Sequence, residues 1–99
     1  MTWVKVCGLS RPEEVEAAVS AGADAIGFVF YERSPRNVAP SRARSLGESA
    51  GIVTVAVTVD LDADSLLHLA ELAGVQAVQP HGDHAPEAAA AAVAAGLVV

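Results

Sequence analysis

Ala21-Gly22-Ala23-Asp24-Ala25-Ile26-Gly27-Phe28-Val29-Phe30 decides the fold of this 99-residue chain. Gly22 can take the left-handed backbone conformation that ends a helix, and the residues from Asp24 onward form a nearly continuous apolar run. Strict alternation would mark a strand with one wet face. An unbroken run marks a strand covered on both faces, as in parallel sheets. The stretch is echoed by Ala73-Gly74-Val75-Gln76-Ala77-Val78-Gln79, and Ala95-Gly96-Leu97-Val98-Val99 begins a third copy. A repeated succession of helix end, glycine and strand implies βα units stacked into a parallel sheet with right-handed crossovers.

Working outward, Val4 to Cys7 reads as the first strand. Ser10-Arg11-Pro12-Glu13 has the S-x-x-E spacing of a capping box, with proline in the first turn where its missing N–H does no harm. The helix it opens runs to about Ala21 and carries Val15, Ala18 and Val19 at helical spacing. A polar loop from Tyr31 to Ala39 leads to a helix opened by Pro40, followed by a β-branched strand from Ile52 to Val59. Asp62 and Asp64 offer N-caps for a helix with Leu66, Leu69, Ala70 and Ala73 on one side. Val75 to Gln79 is the fourth strand and Pro86 to Ala95 the fourth helix, its run of alanines being ordinary helix former. The expectation is a single α/β domain over residues 1–99, of four βα units plus the start of a fifth strand at Leu97-Val98-Val99.

Composition bounds the function. Hydrophobic residues make up 53% of the chain, which places it among globular rather than disordered sequences. Six Lys and Arg against twelve Asp and Glu give a formal charge of −6, which argues against a nucleic-acid or anionic-membrane surface as the main partner, since both need a positive stripe. A small anionic substrate held by one or two placed arginines is compatible with it. The single cysteine forms no internal disulfide, which fits a reducing cytoplasm. The start Met1-Thr2-Trp3-Val4-Lys5 lacks the pattern of a secretory leader, and the apolar stretch from Ala88 to Val99 is too short to span a bilayer. The chain is expected to be soluble and cytoplasmic.

The unusual residues fall at one end of the units. Cys7 ends strand one, Ser34-Pro35-Arg36 follows strand two, Asp60 ends strand three, and Gln79-Pro80-His81-Gly82 follows strand four. In a parallel sheet these positions share the rim on which active sites are built. Judged alone, Cys7 reads first as a small buried hydrophobe, which is what free cysteines usually are. Lys5 lies two residues before it and so points to the same face, where an ammonium would favour the thiolate needed for proton abstraction. Arg36 is either a solvated side chain or a bidentate clamp for a carboxylate, a role lysine fills less well. His81, Asp83 and His84 lack a second cluster to complete a metal shell, so His81 is read as a hydrogen-bonding residue at the rim. No P-loop, G-x-G-x-x-G or G-x-S-x-G motif is present.

Lys5-Val6-Cys7-Gly8-Leu9, Gly22-Ala23-Asp24-Ala25-Ile26-Gly27-Phe28-Val29-Phe30, Ser34-Pro35-Arg36 and Val78-Gln79-Pro80-His81-Gly82 together resemble the phosphoribosylanthranilate isomerases of tryptophan biosynthesis. The matches occur in order and cover essentially the whole chain. The resemblance implies a (β/α)8 TIM barrel, of which this chain would be the N-terminal half. It implies a cofactor-free Amadori rearrangement of N-(5'-phosphoribosyl)anthranilate to 1-(2-carboxyphenylamino)-1-deoxyribulose 5-phosphate. A general acid protonates the ribose ring oxygen, the ring opens to a Schiff base, and a cysteine base removes the C2' proton. Cys7 matches that base, Arg36 the residue binding the anthranilate carboxylate, and Gln79 and His81 the polar lining of the pocket. The family's general acid, an aspartate on a later strand, and its phosphate site after strands seven and eight have no counterpart here. Strand three ends Val57-Thr58-Val59-Asp60 where the family usually has Val-Phe-Val-Asn, and Pro80 stands where leucine is usual. Asp60 is assigned no role by the resemblance.

Four βα units cannot close a barrel, so strands one and four are expected as open edges and the inward face as wet. Three resolutions follow: a truncated isomerase awaiting a complementing second half-barrel, a homodimer closing an eight-stranded barrel, or an open flavodoxin-like sandwich with helices on both faces. The alternative to an isomerase is a non-catalytic half-barrel that binds or assembles without turnover.

Overall fold

In the computed structural model, residues 3–99 are described; Met1 and Thr2, the first residues of the stretch read for a leader, lie outside them. Strand and helix alternate: β1 (Lys5–Cys7), α1 (Pro12–Ser20), β2 (Ala25–Phe30), α2 (Pro40–Ala50), β3 (Val53–Val59), α3 (Ala63–Ala73), β4 (Ala77–His81) and α4 (Ala85–Ala94). The strands form one sheet in the order β1-β2-β3-β4, every pair parallel.

The register sorts the side chains by parity. Cys7 pairs with Gly27, Gly27 with Val55, and Val55 with Ala77, so the odd-numbered strand residues share one face. The even-numbered residues Ile26, Phe28, Ala56 and Val78 lie on the other, in the core formed with Val15 and Ala18 of α1, Leu46 of α2, Leu66 and Ala70 of α3 and Ala88 of α4. All four helices therefore cover one side of the sheet, each packing on the next in chain order. Among the described residues, the opposite side has only the small buried cluster Ala25, Val55 and Ala77. A flavodoxin-like sandwich would have helices on both faces; this arrangement is half of a TIM barrel.

The sheet curves. Three strand spacings of about 4.8 Å would separate β1 from β4 by about 14 Å if it were flat. The Lys5 ammonium nevertheless donates to Gln79 Oε1 across the odd-numbered face, which makes that face concave.

The internal repeat seen in the sequence is a repeat of hydrogen bonds. Gly22, Gly74 and Gly96 all take positive φ. The residue after each glycine donates back into the helix just ended: Ala23 to Ala18, Val75 to Ala70, Leu97 to Ala92. The residue after that donates to the neighbouring strand: Asp24 to Val4, Gln76 to Thr54, Val98 to Gln76. Val78 also donates to Val98, and Val98 bridges to Ala77 in parallel, so the beginning of β4 is not an open edge. Since Val78 donates outward, Pro80 turns its imide nitrogen the same way, and proline there removes no bond between β4 and β3.

Several local expectations change. Glu14, not Glu13, folds back over the start of α1: its Oε1 accepts from Ser10 N, Ser10 Oγ and Arg11 N at 3.0, 3.3 and 3.1 Å. The N-cap is Arg11, so Glu14 occupies the third helical position from which a carboxylate reaches the cap. Val19 lies on the exposed rim of α1, and only Val15 and Ala18 of that helix are buried. β4 begins at Ala77 instead of Val75, because Val75 is spent on the αL turn that closes α3. At its other end β4 runs on past Gln79 to include Pro80 and His81, which were expected in the loop. Asp62 caps α3 as expected, accepting from Ser65 N at 2.8 Å.

Candidate active site

Lys5 and Cys7 of β1, Val29 of β2, Val57 and Val59 of β3, and Gln79 and His81 of β4 all belong to the concave face. Cys7 is free and exposed there, so the reading of a buried structural thiol does not hold. Its strand stops because Gly8 follows with φ 81°, a conformation that a side-chain-bearing residue rarely adopts. Gly8 N and Leu9 N both donate to Gly27 O, at 3.0 and 3.3 Å, and fix the loop after β1 against β2.

Gly27 also makes room for the thiol. A Cβ built on it would stand 2.9 Å from Cys7 Sγ and 3.5 Å from Cys7 Cα. This residue was not singled out from the sequence, although a glycine inside an apolar strand is a standing sign of close approach.

Lys5 shares the face of Cys7, as alternation required, and its ammonium is engaged by Gln79. Arg36 reaches the site from the loop after β2. Its backbone N–H donates to Ser34 Oγ at 3.1 Å, which shapes the turn, and its guanidinium NH1 donates to Gly8 O at 3.1 Å. The guanidinium is thus held one residue from Cys7, with donors remaining for an anion.

His81 pairs with Val59 at the end of β4, and its carbonyl accepts from Asp60 N at 2.8 Å. Asp60 is the only non-glycine with positive φ among the described residues, at 56°. Its carboxylate accepts from Asp83 N at 3.0 Å. The structure therefore joins Cys7 to Arg36 through Gly8, Lys5 to Gln79 directly, and His81 to Asp60 through the backbone. No group of three or more His, Cys, Asp or Glu is arranged to hold a metal among the described residues. A separate hollow between the β2–α2 loop and α3, walled by Phe30, Pro40, Val59, Leu61 and Leu69, includes none of Cys7, Gln79 or His81.

The chain as a whole matches a known family. The family model for N-(5'-phosphoribosyl)anthranilate (PRA) isomerase matches residues 4–99. The chain belongs to the phosphoribosylanthranilate isomerase family. The N-(5'-phosphoribosyl)anthranilate isomerase of Rubrobacter xylanophilus is 45% identical over 89 residues, covering 88% of this chain and 43% of that protein. The phosphoribosylanthranilate isomerase of Thermus thermophilus superposes with a TM-score of 0.88 at 40% identity, over 94% of this chain and 48% of that one. A phosphoribosylanthranilate isomerase in complex with reduced 1-(o-carboxyphenylamino)-1-deoxyribulose 5-phosphate gives a TM-score of 0.89 at 34% identity, over 99% of this chain and 52% of that one. The chain spans about half the length, or less, of the family members it matches.

Thr58 of β3 is fully buried without leaving an unsatisfied polar atom among the described residues. No helix among the described residues is long and apolar enough to cross a membrane.

Proposed function

We propose that this chain contributes the proton-abstracting and carboxylate-binding half of a phosphoribosylanthranilate isomerase site. One observation carries the reading: the exposed thiol of Cys7 ends β1 on the concave face, and the Arg36 guanidinium is bonded to the carbonyl of the very next residue. Arg36 holds the anthranilate carboxylate, and Gln79 and His81 line the pocket. Once the ribose ring has opened to a Schiff base, the Cys7 thiolate takes the C2' proton. The electron pair of that C–H bond forms the enamine, whose enol tautomerises to the 2-keto product. The reaction is an internal redox exchange between C1' and C2', so electrons balance without a cofactor. The family's aspartate acid and phosphate site belong to later units of the barrel, so turnover calls for a complementing second half-barrel that carries them. Its place would be the cytoplasm, with a small-molecule substrate as its ligand.

The open concave face favours a second reading, a half-barrel that binds or assembles without turnover. Loss of phosphoribosylanthranilate fluorescence decides between them, followed for the chain alone and mixed with the second half of a family member. Turnover that vanishes in Cys7→Ser supports the isomerase. A stable complex without turnover supports the assembly module.

A further inference from the structure

Asp60 ends β3 with a backbone that aspartate tolerates better than most residues, yet still at some cost. Two bonds tie it to the far end of β4: its N–H to His81 O and its Oδ1 to Asp83 N. Between those partners lies Gly82, with φ 100°. A Cβ on Gly82 would stand 2.7 Å from the Asp60 carboxyl carbon and 3.0 Å from its nitrogen, so the Asp60 side chain occupies the space that any larger residue at 82 would need. The left-handed turn at Asp60 aims its N–H and its carboxylate at successive groups of one loop, with the glycine enclosed between them.

We propose that Asp60 is a positioning residue for His81: it clamps the turn after β4 and so fixes where the imidazole is presented on the concave rim. His81 is the last residue of β4, held on one side by the ladder to Val59. On the other side lies the Gly82-Asp83 turn, which Ala85 N–H ties to the start of α4 through Gly82 O and which Asp60 ties to the end of β3. The inference rests on the reading of His81 as a pocket residue, and it gives a role to a side chain that the family resemblance left without one. Asparagine at this position would offer the same Oδ1 acceptor and the same tolerance of positive φ.

Two substitutions separate the parts. Asp60→Gly keeps the left-handed backbone and removes the side-chain acceptor, whereas Asp60→Asn keeps the backbone and replaces the carboxylate with an uncharged Oδ1 acceptor. In the isotopically labelled full chain, Asp60→Gly is expected to speed exchange of the Asp83 amide about tenfold or more, the loss of one charge-assisted hydrogen bond. It should also shift the His81 ring resonances, assigned by their disappearance in His81→Gln. Asp60→Asn should leave both near the parent, and Gly82→Ala should displace the His81 ring resonances as Asp60→Gly does. A folded Asp60→Gly chain with a lower melting temperature but unmoved His81 resonances would overturn the proposal, since a merely structural residue behaves that way. Neither resonance needs substrate, so absence of turnover in the parent chain counts against the isomerase reading and not against this one.

Discussion

Cys7 Sγ occupies the space beside Gly27 in which a methyl group would stand, 2.9 Å from where that Cβ would be. Gly27 has no positive φ, so an alanine is acceptable to its backbone and the conflict is with the thiol alone. Gly27→Ala is therefore expected to fold and to push Cys7 off its position. A displacement approaching 1 Å at a reacting atom costs about 100-fold in rate. The turnover of the complemented chain checks it. The rate of Cys7 alkylation by iodoacetamide gives a second reading that needs no substrate, and parent-like behaviour in both would remove Gly27 from the site.

Arg36 commits NH1 to Gly8 O and so holds its fork beside the thiol. Removing a charged hydrogen-bond donor from a bound carboxylate costs about 1.5–3 kcal/mol, which is roughly tenfold to 150-fold in affinity. Arg36→Ala should weaken binding of the reduced 1-(o-carboxyphenylamino)-1-deoxyribulose 5-phosphate by that factor in calorimetric titration. Arg36→Lys should recover only part, because an ammonium cannot make the bidentate contact. Unchanged affinity in both variants would mean that Arg36 serves only to brace Gly8.

These residues show how far the sequence could be read. The units, their order and the shared rim were visible because apolar period and glycine position are local signals, and the three glycine turns repeat the same bonds. The thiol's position at the end of β1 was legible for the same reason. Three things were not. Gly27 matters through a neighbour on another strand, and only the register Cys7↔Gly27 discloses it. The partner of Lys5 is Gln79, 74 residues away, reached because the sheet curves. The exchange of Glu13 for Glu14 at the first helix cap turned on which residue became the N-cap, a one-position choice that spacing leaves open. In each case the deciding contact lies outside the window in which a sequence pattern is read.

Phe28 is the largest fully buried side chain and lies at the centre of the helix-side core. Truncating a buried aromatic loses its transfer free energy and leaves a cavity, together about 3–5 kcal/mol. For a domain of this size that is a large share of its total stability. Phe28→Ala should shift the urea midpoint strongly downward or leave the chain unfolded. Val53→Ala, on the concave side where the valine is 40% exposed, should be nearly silent. Equal losses would mean that a partner covers the concave face in solution.

Acid should weaken the two capped helix starts, and the sign follows from the caps. The Ser10 N–H bond, above the other contacts, holds the Glu14 carboxyl below its ordinary 4.5, with the positive charge of Arg36 acting in the same direction. The Ser65 N–H bond lowers Asp62 below its ordinary 3.8. A carboxyl with a depressed pKa in the folded state binds fewer protons there than in the unfolded chain, so stability rises with pH through that window. The contribution is complete above the unfolded values and is lost as pH falls through the lower folded ones. Glu14→Gln removes one of the two titrations while keeping a neutral acceptor. Its urea midpoint should lie below the parent's at pH 7, and the gap should close as the parent's own Glu14 becomes protonated. A gap that stayed constant down to acid pH would show that the charge of Glu14 adds nothing to its hydrogen bonds, and the acid limb of the parent would then belong to Asp62 and the remaining carboxylates.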